Sequence, residues 1–64
     1  MTHGERILIE RRRRRLGQRD LARLADLNTA TIIDIERGRV EITEADFHRI
    51  MGCMMAMDSE AIPA

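Results

Sequence analysis

The sequence predicts an all-α fold, a compact bundle of four to five short helices, and three observations carry that expectation. Phe47 is the only aromatic residue among many Leu, Ile, Met and Ala, a composition that suits helices better than a sheet. Apolar residues recur three and four positions apart, the period of a helix with one buried face. The chain has 64 residues, room for one domain and a modest core only. Stability must then come from close helix packing, from a partner subunit, or from both.

A first helix is expected from Gly4 to Arg15, with Ile7 inward and the arginine run on its outer sides. Gly17 breaks the chain and serves as a tolerable N-cap for a second helix over Gln18–Ala25, where Leu21, Leu24 and Ala25 form one apolar stripe. Ala22 is small enough to let another helix cross closely. Asp26-Leu27-Asn28 has the composition of a tight turn, since Asp tolerates left-handed backbone angles and Asn is a strong N-cap. The third helix, Thr29 to Arg37, buries Ile32 and Ile35 and stops at Gly38, a natural C′ residue. Its β-branched residues make it a weak helix alone, so packing must hold it. Thr43-Glu44-Ala45-Asp46 resembles a capping box with Asp in place of Glu. It opens a fourth helix that turns Phe47, Ile50, Met51 and Met54 inward, and Asp58 or Ser59 is positioned to cap one last turn before Pro63.

Net charge is zero, yet the charges are polarised along the chain. Residues 1–25 hold eight Arg against three acids (+5), and residues 26–64 hold three Arg against eight acids (−5). Such a chain presents a basic face despite its neutral total. The longest apolar run, Ile50–Met57, is too short to span a bilayer. With Cys53 as the lone cysteine and no secretory signal, a reducing cytoplasm is the expected compartment. No Ser/His/Asp, Cys/His or paired-carboxylate set is apparent. Neither an enzyme, a cofactor, a metal nor a small-molecule effector is expected; Cys53 among Met51, Met54, Met55 and Met57 fits a core or subunit-interface role.

Counted from Gln18, the positions that brace two helices across a tight turn hold Leu21, Ala22, Ala25, Leu27, Ile32 and Ile35, all apolar. That is the pattern of a helix-turn-helix over Gln18–Arg37, whose second helix enters a DNA major groove. The stretch Leu16-Gly17-Gln18-Arg19-Asp20-Leu21-Ala22-Arg23-Leu24-Ala25, followed by Ile32 and Ile35-Glu36-Arg37-Gly38, resembles the phage-repressor/Cro, or XRE, family. The likeness runs without gaps from about Gly4 to Met55. It implies a lambda-repressor-like domain that binds double-stranded DNA as a homodimer and acts as a transcription regulator, most simply a repressor.

By the resemblance, Gln18 binds a phosphate, Thr29, Ala30, Ile33 and Asp34 read bases, and Asn28 and Arg37 flank them. Arg11 and Glu36 stand where family members pair an Arg of the first helix with a Glu closing the third. Two positions depart from the pattern: Asp26 replaces the usual turn Gly, and Asp34 replaces Gln, Arg or Ser. Arg19, at a helix N-terminus, is the better phosphate candidate among the arginines. Arg12–Arg15 wind around more than one turn, so they make either a solvated surface or a partial phosphate contact. Methyl groups of Thr29, Ala30 and Ile33 suit thymine methyls, and Asp34 can accept from cytosine N4. Met51, Met55 and Met57 are the expected dimer contacts. A protein-interaction module on the same fold is the alternative, favoured by Asp34 and the neutral charge and disfavoured by the basic N-terminal half.

Overall fold

The structure, a computed structural model, describes residues 1–61. Four helices follow one another: α1 (His3–Arg13), α2 (Gln18–Leu24), α3 (Thr29–Glu36) and α4 (Glu44–Ala61), with no strand among the described residues. Ile7 of α1, Leu21 and Ala22 of α2 with its C-cap Ala25, Ile32 and Ile35 of α3, and Ile50, Met51 and Met54 of α4 form one buried cluster. Leu16, Leu27, Ile42, Phe47 and Cys53 close its edges. None of the helices is long and apolar enough to cross a membrane.

The helix starts are set by side chains. Thr2 Oγ1 accepts from the Glu5 N–H at 3.1 Å while Glu5 Oε1 accepts from the Thr2 N–H at 3.3 Å. This capping box starts α1 at His3 rather than Gly4. Gly17 is the N-cap of α2, its N–H donating to Asp20 Oδ2 at 3.2 Å. Asn28 occupies the N-cap position of α3 in extended backbone, but its side chain makes no capping hydrogen bond and stays exposed. At α4, Thr43 Oγ1 accepts from the Asp46 N–H at 3.1 Å.

The ends of α1, α2 and α3 share one device. Each closes with the Schellman pair of hydrogen bonds around a residue of positive φ: Arg15 (54°), Asp26 (57°) and Gly38 (77°). Hence α1 ends at Arg13 and not at Arg15, and the break falls at Arg15 rather than Gly17, whose φ is −73°. Only Gly38 takes the left-handed conformation without a Cβ penalty, while Asp tolerates it better than Arg. Arg15→Gly should therefore stabilise the fold by about 1 kcal/mol and Asp26→Gly by less. Urea midpoints at constant m-value are the measurement, and a loss of stability on Arg15→Gly would contradict the turn geometry.

Two other expectations are corrected. Leu24 is not part of the core stripe: it is 46% exposed, because the buried face of α2 is narrow and centred on Leu21 and Ala22. α4 continues unbroken through Asp58 and Ser59 to Ala61, so no fifth helix begins there; Pro63 lies outside the described residues.

α4 is tied to the rest by polar contacts as well as by packing. The His3 ring stacks on Phe47 with centroids 4.1 Å apart, and its Nε2 lies 2.9 Å from Glu44 Oε1. Arg14 Nε and Nη2 donate to both oxygens of Asp58 at 2.9 and 2.6 Å, and its Nη1 donates to Glu10 Oε1 at 2.9 Å. Hydrogen bonds from Arg14 hold the Asp58 and Glu10 carboxyls below their ordinary values, against the opposing effect of burial. A carboxyl lowered in the folded state stabilises fully above its unfolded value. That contribution is lost as the pH falls through the lowered folded value, on the acid side of the usual carboxylate range.

Candidate functional site

The site is built around the last residue of α3. Glu36 Oε2 accepts from Arg11 Nε at 2.7 Å, and Glu36 Oε1 accepts from Arg11 Nη2 at 3.0 Å and from Gln18 Nε2 at 3.1 Å. Arg11 Nη1 also donates to the Leu16 carbonyl at 2.9 Å. Both charged side chains are nearly out of solvent, 9% exposed for Arg11 and 3% for Glu36. One carboxylate thus joins the end of α1, the start of α2 and the end of α3, by the fork geometry that makes Arg suited to bidentate pairs. No buried side-chain nitrogen or oxygen among the described residues lacks a partner.

This node fixes which way α3 faces. Ile32, Ile35 and Glu36 are buried, while Ala30 and Arg37 are exposed and Ile33 and Asp34 are partly exposed. At 100° per residue Ala30, Ile33, Asp34 and Arg37 lie on one outward face, with Thr29 and Asn28 at its N-terminal edge. The candidate base-reading residues are therefore brought together. Gln18, the residue expected at a phosphate, is half-buried, and its amide nitrogen donates to Glu36.

The arginines divide into two groups. Arg6, Arg13 and Arg14 face Glu10, Arg11 is inside the node, and Arg49 donates to the Ala25 carbonyl. Arg12, Arg15, Arg19, Arg23 and Arg37 are exposed with no carboxylate partner among the described residues. Arg12, Arg15, Arg19 and Arg37 sit at or beside the helix ends that meet at the node, so the free positive charge concentrates around the start of α2. Arg39, which sequence reasoning passed over, reaches back so that its Nη1 lies 3.6 Å from Asp34 Oδ1.

The chain matches no known family model, no curated protein and no solved structure.

The three methionines expected at a dimer contact do not share a surface. Met51 is 6% exposed and belongs to the core, because it lies one turn from Met54 on the inner face of α4. Met55 is 54% exposed. It and the half-buried Met57 are separated by about 200° around the helix and so lie on opposite flanks. Met57 lines a shallow groove with Leu16, Asp20, Arg23 and Leu24, and Leu24 is its exposed apolar wall.

Proposed function

We propose that α2, the turn at Asp26 and α3 act as a helix-turn-helix of the phage-repressor/Cro, or XRE, type, and that the protein is a DNA-binding transcription regulator, most simply a repressor. One observation carries the reading. The outward face of α3 is free of core duties, its back is locked by the Arg11–Glu36–Gln18 node, and partnerless arginines surround the neighbouring helix ends. A helix presented in this way can lie in a major groove while cations beside it neutralise phosphates. In this reading Arg19 holds a phosphate, Gln18 positions α3 through Glu36, and Thr29, Ala30 and Ile33 meet bases, with Asn28 and Arg37 at the flanks. The compartment that goes with it is a reducing cytoplasm, where Cys53 stays a thiol.

Selection from random duplex DNA, followed by sequencing, tests the proposal. Enrichment of a short motif is expected; no enrichment at low salt would leave the outer face of α3 to a protein partner. Arg19→Ala should weaken binding to all sequences alike and reduce the salt slope by about one unit. Ile33→Ala should instead lose affinity at one thymine position, and uracil at that position should mimic it.

One such unit reads only about four to six base pairs, so the proposal includes a homodimer on a pseudo-palindrome. The Leu24–Met57 flank is the contact it assigns, with Met55 outside it. Sedimentation at micromolar concentration should show a dimer that Leu24→Glu disrupts and Met55→Glu does not. A monomer throughout, with DNA binding intact, would remove this part of the proposal.

A further inference from the structure

Arg39 is the cation that approaches Asp34 on the outer face of α3. It lies outside α3, as the second residue after the cap at Arg37, and its backbone N–H donates to the Asp34 carbonyl at 2.9 Å. That bond closes the last turn of α3 and fixes where the Arg39 side chain leaves the backbone. From there its guanidinium returns to the outer face, with Nη1 3.6 Å from Asp34 Oδ1. The two side chains are 64% and 39% exposed, so the pair stands on the surface, in contact through one nitrogen of the guanidinium. Asp34 is otherwise hard to place on a face that meets phosphates, since a lone carboxylate there repels DNA.

We infer that Arg39, oriented by Asp34, reads guanine, an inference that rests on the DNA-binding reading above. A guanidinium has five donors in a fixed fork, and one edge suffices for the carboxylate. The free edge matches the paired O6 and N7 acceptors of guanine in the major groove. Asp34 is then a positioning residue. It restricts a long flexible side chain to the groove-facing conformation, and Arg39 in turn cancels the charge that would repel the phosphates.

The test compares wild type, Asp34→Asn, Arg39→Ala and the double variant by duplex selection with sequencing and by affinity at fixed salt. Both side chains are surface-exposed, and the 2.9 Å backbone bond does not depend on either, so all four proteins should melt alike. Wild type should enrich guanine at one position of the motif. Arg39→Ala should lower the preference for guanine there by about tenfold or more, at no other position. Asp34→Asn should weaken the preference at the same position, and the double variant should be no worse than Arg39→Ala. Placing 7-deazaguanine at that position should weaken wild type and leave Arg39→Ala unchanged. An equal loss on all sequences for Arg39→Ala, with a shallower salt slope, makes Arg39 a phosphate contact and overturns the inference while DNA binding stands. So does an Asp34→Asn protein that binds every duplex more tightly with its guanine preference intact. No enriched motif from wild type at low salt overturns the DNA-binding reading itself, and this inference with it.

Discussion

Gly4→Ala should destabilise the protein by about 3 kcal/mol, the upper end of the usual overpacking range, although the same change in an isolated helix is favourable. A Cβ at Gly4 would lie 2.0 Å from the Ile35 carbonyl oxygen, 3.0 Å from its carbon and 3.5 Å from Glu36 Cα. All three atoms are backbone, so no rotamer change relieves the clash; α1 and α3 have to move apart. That movement opens the core between Ile7 and Ile35 and pulls on the Arg11–Glu36 pair. A domain of this size has a total stability of roughly 3–10 kcal/mol, so a large fraction of it is at stake. Gly52→Ala is the matched control. It lies in α4 with nothing within 4 Å of its added methyl, and it should gain about 0.5–1 kcal/mol. Thermal melts of the two variants should move in opposite directions from wild type. Shifts of the same sign would mean that α1 and α3 do not approach at Gly4.

Glu36→Ala should be comparably severe. It leaves the Arg11 guanidinium nearly buried with its two carboxylate bonds gone, and it strands the Gln18 amide as well. Removing one member of a buried pair costs roughly 3–5 kcal/mol because the remaining charge is uncompensated. Arg11→Ala strands the carboxylate instead and should cost a similar amount. Arg13→Ala gives the baseline: its side chain is 70% exposed beside Glu10, and such pairs contribute at most about 1 kcal/mol. At roughly 4–8 °C per kcal/mol for domains of this size, the first two variants should melt more than 10 °C below the third. Similar small shifts for all three would show that the node is not structural. A double variant replacing both partners with apolar residues should recover part of the loss, since the penalty is chiefly that of an orphaned charge.

The parts of this molecule legible in the sequence are those set by local periodicity. Ile7, Leu21, Ala22, Ala25, Ile32, Ile35, Ile50 and Met54 are buried as their spacing requires, and the turn at Asp26 follows from local chemistry. The Arg11–Glu36 pairing came from a family likeness rather than from spacing, because 25 residues separate the partners and no short-range rule connects them. What stayed hidden depends on three-dimensional neighbours. Gly4 looks like any residue of a first turn until Ile35 is placed against it. Leu24 was misassigned because a periodic pattern gives the centre of an apolar stripe but not its width; Met51 was expected both inward on α4 and at a dimer contact, and its burial agrees with the first only. The Asp34–Arg39 approach needed the left-handed Gly38 between them, which turns the chain back on α3. The Thr2–Glu5 capping box went unread, and the start of α1 was placed at Gly4, although its three-residue spacing was a local signal that could have found it.

α2 has seven residues, and its Schellman pair satisfies the Ala22 and Arg23 carbonyls but not the two that follow. Those two receive side chains from α4: Arg49 donates to the Ala25 oxygen, and Cys53 Sγ donates to the Leu24 oxygen at 3.5 Å. A helix this short has almost no stability of its own in water. Fraying at the end of α2 therefore cannot be a local event, since each step of unwinding also releases a contact with α4. The two segments open together, as one cooperative unit, and amide exchange at the end of α2 follows the lifetime of the α4 docking rather than the short helix's own tendency to unwind.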